Sequence, residues 1–196
     1  MLKVAVTGNM GSGKTSVCKV FEVLGIPVFY ADREAKMLYN DDDIKNQVRG
    51  ELGDEILDEN NIIDLKAIAS LVFAQPQKLE KLNKIIHPAV YQRFNHWLHE
   101  HRHHPYVIQE AAIVFETGSH ERFDKIILVH APEEVLISRV QKRDGSTREQ
   151  VKQRLSRQMP QEEKIKMAHY LLCNDNTSLI IPEILRIHAQ LLQQCQ

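Results

Sequence analysis

The sequence predicts an α/β fold of three layers, a parallel five-stranded sheet with helices on both sides, and three observations predict it. Five short apolar runs, Leu2–Thr7, Ile26–Tyr30, Tyr106–Gln109, Lys125–Val129 and Tyr170–Asn174, alternate along the chain with helical patterns. The first is continuous and rich in β-branched residues, as a strand buried on both faces requires. It passes directly into a glycine-rich turn and then a helical pattern, the opening of a strand–helix–strand unit.

In chain order, the helix after the turn is expected over about Thr15–Leu24, with Gly25 ending it and Ile26–Tyr30 forming the second strand up to Ala31-Asp32. Residues 33–104 carry helical periodicity with few strand signals, as in Ala67–Phe73 and in Leu79–His103, where a break is expected around Pro88. This stretch reads as a helical substrate-binding insertion in a single domain of 1–196, whose core is about 1–32 and 105–196. Helices are expected at roughly 133–142, 147–167 and 179–194. A lid spans about 139–160, its helix opening at the capping-box spacing Ser146-Thr147-Arg148-Glu149.

The chemistry begins at Gly8-Asn9-Met10-Gly11-Ser12-Gly13-Lys14-Thr15, a G-x-x-x-x-G-K-[ST] phosphate loop set between a strand and a helix. Glycines let backbone N–H groups turn around phosphate oxygens, and the helix N-terminus adds a dipole that favours an anion. Gly11, Ser12, Gly13, Lys14, Thr15 and Ser16 are therefore the nucleotide-binding candidates, with Lys14 on the β- and γ-phosphates and the Thr15 hydroxyl on Mg²⁺. A nucleoside triphosphate, ATP with Mg²⁺, is the expected ligand.

The loop does not name the acceptor, which must come from the ends of the other strands. Asp32, at the end of the second strand, reads either as a base toward a substrate hydroxyl or as a helix N-cap before Arg33-Glu34-Ala35-Lys36. Glu110 ends the third strand and reads as a contact to Mg²⁺ or substrate, or as a solvated carboxylate; Glu116 carries the same alternatives. From Arg139 to Arg157 seven basic residues face two acidic ones, a local excess of +5 in a chain of net charge −1. Arg139 and Arg143 in this run suit a lid over a triphosphate, the alternative being a solvated basic helix. Neither D-x-x-G after a strand nor N-K-x-D is present, which disfavours a GTPase switch.

The near-neutral charge excludes a general polyanion binder, so no nucleic-acid partner is expected. No apolar run approaches the roughly 18 residues of a membrane span, and no leader precedes the first strand, so a cytoplasmic protein without a membrane partner is expected. Cys18, Cys173 and Cys195 lack paired spacing and read as reduced thiols. His96, His99 and His103 can share a helix face, either as a metal site or as a solvated helix end.

Taken together these residues resemble the dephospho-CoA kinase family over nearly the whole chain. The motifs that carry the resemblance are Thr7–Thr15, Ala31-Asp32, Val72-Phe73, His87-Pro88, Phe115-Glu116, Arg139–Gly145, Arg154 with Gln158, and Ala168-His169 with Asn174. The resemblance implies a three-layer P-loop kinase fold and transfer of the ATP γ-phosphoryl group to the ribose 3′-hydroxyl of dephospho-CoA. It implies Asp32 as base, Lys14 and Arg143 as phosphoryl stabilisers, and Asp32, His87, Glu110 and Glu116 on the substrate side. The implied partner is that small molecule, with the protein a monomer or weak homo-oligomer. Another nucleoside or nucleotide kinase, or an ATP-binding module without transfer, are the alternatives. The chain departs from the family pattern at Glu110 for Asp, Ala111-Ala112 for Pro-Leu, Leu65 for Arg and His169 for Asp.

Overall fold

The computed structural model describes residues 1–195. In chain order the elements are β1 (Leu2–Thr7), α1 (Lys14–Val23), β2 (Val28–Tyr30), α2 (Ala31–Leu38), α3 (Asp42–Leu52), α4 (Leu65–Ala74), α5 (Pro76–Glu100), β3 (Tyr106–Glu110), β4 (Lys125–His130), α6 (Glu133–Asp144), α7 (Arg148–Leu155), α8 (Gln161–Met167), β5 (Tyr170–Cys173) and α9 (Ile180–Gln193). They divide into two compact units, Met1–Tyr30 with the chain from Glu100 onward, and Ala31–His99. Among the described residues no helix is long and apolar enough to cross a membrane.

The first unit is a five-stranded parallel sheet of order β2-β3-β1-β4-β5. β1 is central: Val4 and Val6 project into one fully buried cluster with Val17, Cys18 and Phe21 of α1 and Ile184, Ile187 and Leu191 of α9. On the opposite face Ala5, Val107, Ile126 and Leu128 are buried as well. The consecutive apolar residues Val4-Ala5-Val6 are what this double burial demands, and each valine, leucine or isoleucine so buried contributes roughly 1.5–3 kcal/mol. The pairing sets Val6 beside Glu110 on one side and Ile127 on the other, so the loops after β1, β3 and β4 open on one edge of the sheet. The order reverses about β1, the switch point where open parallel sheets bind ligands.

The second unit has its own core, in which Leu38 of α2, Val48 and Leu52 of α3, Ile68 of α4 and Leu82 and Ile86 of α5 pack together. Arg93 and Glu34 tie α5 to α2 at 3.2 Å. The expected break at Pro88 does not occur, and α5 runs straight through it. An interior proline costs about 3 kcal/mol through its lost N–H and its clash with the preceding turn. Buried Leu82 and Ile86 before it and buried Phe94 after it anchor the helix on both sides of the proline.

The expected helix 147–167 is instead two helices, α7 and α8, separated by residues 156–160. Pro160 is the N-cap of α8 and disfavours helical backbone at Met159 before it, which ends the run. The box that opens α7 sits one residue later than the spacing suggested. Thr147 is the cap: its hydroxyl accepts the Gln150 N–H at 3.3 Å and its own N–H reaches Gln150 Oε1 at 3.0 Å.

Two imidazoles make hydrogen-bonding contacts within the sheet unit. His169 Nδ1 accepts the Ile126 N–H at the start of β4, at 3.2 Å, and His188 Nδ1 lies 2.6 Å from the hydroxyl of buried Tyr106. Burial lowers both pKa values below the ordinary 6.5, with the Lys125 charge adding to the effect at His169. The unfolded chain therefore binds more protons than the folded one just below pH 6.5, so stability is full above that value and declines as pH falls through it. Thermal melts should give a flat melting temperature from pH 7 to 8 and a decline toward pH 5. Loss of the His169 bond, whose acceptor disappears on protonation, is expected to lower it by about 2–4 °C, and His188→Phe, which removes a group whose pKa burial lowers, should flatten that slope.

Candidate active site

The phosphate loop leaves β1 at Thr7 and enters α1 at Lys14. Glycine is required at two positions for different reasons. Gly11 has φ +80°, and a Cβ there would lie 2.7 Å from the Leu136 carbonyl of α6. Gly13 has φ +93° and caps α1, and its Cβ would lie 2.2 Å from Asn174 Nδ2. No side chain caps α1, whose N-terminus follows directly on the loop, where the helix dipole favours an anion.

Turning N–H groups inward directs carbonyls outward, and these carbonyls are met by named donors. Lys14 Nζ donates to Gly8 O at 2.9 Å and to Asn9 O at 3.3 Å. Arg139 Nη1, from α6, donates to Gly11 O and Ser12 O at 3.3 and 3.4 Å. Asn174 Nδ2 donates to Ser12 O at 2.7 Å, and its Oδ1 accepts from Arg139 Nη2 at 3.2 Å. Asn176, at φ +70°, accepts from the same Nη2. The turn that presents Asn176 is closed by Asp175, whose carboxylate accepts the Thr177 and Ser178 N–H groups, and these bonds bring its pKa down to about 2.

Gly11, Ser12, Gly13, Lys14, Thr15, Ser16 and Arg139 are thus brought together. Thr15 and Ser16 are exposed in the first turn of α1, while Lys14 is buried. Glu110 ends β3 at 6% exposure, opposite Val6. Its charge adds to burial in raising the pKa of the Cys18 thiol and the Tyr30 hydroxyl, which keeps both protonated. Arg143 lies one turn beyond Arg139 on α6, 63% exposed, with its guanidinium forked onto Asp144 at 2.6 and 3.0 Å. That contact draws the Asp144 pKa down. Asp32 and His87 belong to the helical unit: Asp32 is exposed in the first turn of α2, where a carboxylate suits the helix dipole. His87 is on α5, and partial desolvation lowers its pKa.

Glu116 is exposed as a residue, and its carboxylate has two partners in the chain that follows α7. Its Oε1 accepts the Met159 N–H at 3.0 Å and lies 2.8 Å from Nζ of Lys164. Gln158 Oε1 in turn accepts the Met10 N–H of the loop at 2.9 Å. Asn174, Gln158 and Lys164 were not among the site candidates. Asn174 and Gln158 stand in motifs that signal them, but Lys164 sits in Gln161-Glu162-Glu163-Lys164-Ile165-Lys166, a polar stretch with no mark of burial. In the histidine run the rings of His103 and His104 lie 4.2 Å apart, and no group of three or more His, Cys, Asp or Glu among the described residues is disposed to hold a metal ion.

The family model for dephospho-CoA kinase matches residues 2–179. A dephospho-CoA kinase of Bacteroides fragilis is 34% identical over 196 aligned residues, covering 98% of this chain and 94% of its own. A crystal structure from Thermus thermophilus superposes with a TM-score of 0.84 at 31% identity, covering 100% of this chain and 98% of the other. The dephospho-CoA kinase of Campylobacter jejuni shares the fold, with a TM-score of 0.72 at 23% identity over 99% of this chain and 98% of its own. With the phosphate loop, its donors and a match along most of its length, this chain belongs to the dephospho-CoA kinase family.

Proposed function

We propose that the protein transfers the γ-phosphoryl group of ATP to the ribose 3′-hydroxyl of dephospho-CoA, giving CoA and ADP. The observation that carries the donor side is the phosphate loop, with its glycines at positive φ and its carbonyls held by Lys14, Arg139 and Asn174. Family membership supports the acceptor.

In this reading Asp32 takes the proton of the 3′-hydroxyl as its oxygen attacks the γ-phosphorus, and the bond to the β–γ bridging oxygen breaks with ADP as leaving group. Lys14 has three N–H donors, so while it serves the Gly8 and Asn9 carbonyls it also reaches β- and γ-phosphate oxygens, and the ammonium offsets charge on the equatorial oxygens. Arg139 supplies a fixed cation beside the loop. Arg143, on the same helix, leaves Asp144 for the phosphates, because an exposed ion pair is worth only about 0–1 kcal/mol and exchanges readily. Thr15 offers an exposed hydroxyl at the first turn of α1, a hard oxygen donor that fits Mg²⁺, which when bound neutralises phosphate charge. We assign residues 33–104 to acceptor binding, with His87 and Glu110 among its contacts, and 139–160 to the lid that excludes water. Three free cysteines suit a reducing, cytoplasmic setting.

ADP release with Mg-ATP and a panel of dephospho-CoA, adenosine, nucleoside monophosphates or buffer should be stimulated strongly by dephospho-CoA alone, with CoA as product; stimulation only by another acceptor would reject the substrate. Asp32→Asn should retain ATP binding and lose about two decades of turnover; near-normal kcat would remove Asp32 as base. Gly11→Ala should weaken ATP binding by tenfold or more, roughly the effect of 1–2 kcal/mol of left-handed strain plus the Leu136 clash, as measured by titration calorimetry.

A further inference from the structure

We propose that Lys164 is a positioning residue for ATP, acting through Glu116 and the Gln158-Met159 segment on the phosphate loop. The inference rests on the kinase reading for its kinetic test and on geometry for its content.

Lys164 is fully buried, and its ammonium has Glu116 Oε1 at 2.8 Å, an ion pair without hydrogen-bond alignment. Burial without a partner is costly for an ammonium, so Glu116 is held toward α8. The same oxygen accepts the Met159 N–H at 3.0 Å, which fixes the chain that follows the basic helix α7. From there two bonds reach the loop: Gln158 Oε1 accepts the Met10 N–H at 2.9 Å, and Asn9 Nδ2 donates to Met159 O at 3.4 Å.

The far end is anchored as well. Gln161, in the first turn of α8, accepts the Ala131 N–H at 3.2 Å and donates to Ala131 O at 3.0 Å, joining α8 to the residue after β4. Lys164 is therefore the buried end of a continuous path, α8 to Glu116 to Met159 to Asn9 and Met10. Asn9 and Met10 carry the loop into Gly11, and Met10 also packs against Ile137, Val140 and Val151 of α6 and α7. The path meets the loop at Asn9 and Met10, the first of which also receives Lys14 Nζ on its carbonyl at 3.3 Å, and touches neither Arg139 nor Arg143, so it governs ATP affinity more than the chemical step.

Lys164→Met is the cleaner cut, since it leaves a carboxylate that keeps 19% exposure, whereas Glu116→Gln would strand a fully buried ammonium. In the full-length variant KM for ATP should rise about tenfold with kcat changed by less than about threefold. Amide hydrogen exchange at Met10 and Met159 should accelerate while melting remains cooperative. Unchanged KM for ATP and unchanged exchange at those amides would overturn the proposal, even if the melting temperature falls. Should Lys164→Met not fold, Gln158→Ala cuts the same path at its other end with the same expectation, and wild-type values there overturn it equally. A wild-type protein that releases no ADP with dephospho-CoA rejects the kinase reading, and the exchange arm, read with and without ATP, still decides this one.

Discussion

A phosphate loop can aim its N–H groups at an anion only if its carbonyls, turned the other way, are satisfied, and much of the first unit follows from that constraint. An unmet buried carbonyl costs about 1–3 kcal/mol, and this loop turns at least four of them outward. Lys14 serves Gly8 and Asn9 from within the motif. Gly11 and Ser12 need donors from elsewhere, and Arg139 and Asn174 reach them only because β4 and β5 lie in sequence beside β1. The Asn174 N–H bonded to His130 O at 2.8 Å sets the amide at the right height.

The same arrangement explains why glycine is needed on the outer side of the loop as well as on the side of the phosphates. α6 presses its Leu136 carbonyl to Gly11 and Asn174 presses its amide to Gly13. A side chain at either position would displace the donors before it met any nucleotide. Tight packing from behind and an open mouth in front are two aspects of one loop, and β1, buried on both faces, provides the rigid base from which it departs.

Local signals made much of this legible in advance. The loop, its flanking strand and helix, and the parallel sheet follow from glycine spacing and continuous apolar runs. Where the reading erred, a long-range contact outweighed a local rule. Pro88 breaks a helix that has only propensity behind it, but α5 has a buried face on both sides of it. The break within 147–167 combines both kinds of cause: Pro160 is a local signal against helix at Met159, and the Met159 N–H bond to Glu116, across 43 positions, holds the chain there. Lys164 was invisible for the same reason: lysine in a polar stretch reads as solvated, and only the fold places it at 0% exposure beside a carboxylate.

The departures from the family pattern separate once the backbone is considered. Where a proline is usual, Ala111 donates its N–H to Val6 O at 3.1 Å, a bond proline cannot make, so the β1–β3 ladder is one rung longer. Where an aspartate is usual, His169 accepts the Ile126 N–H at the start of β4, the acceptor role a carboxylate would also fill, but one that ends when the ring is protonated. Glu110 keeps its charge class and its place at the end of β3. Leu65 differs in kind: it is 41% exposed at the first position of α4, whose start is already capped by Asp64 on the Lys66 N–H at 2.7 Å. An arginine there would add nothing to the helix start that Asp64 does not supply. The consequence of Leu65 therefore falls on the exposed surface at the start of α4, and neither the Asp64 cap nor the buried cluster of the helical unit depends on it.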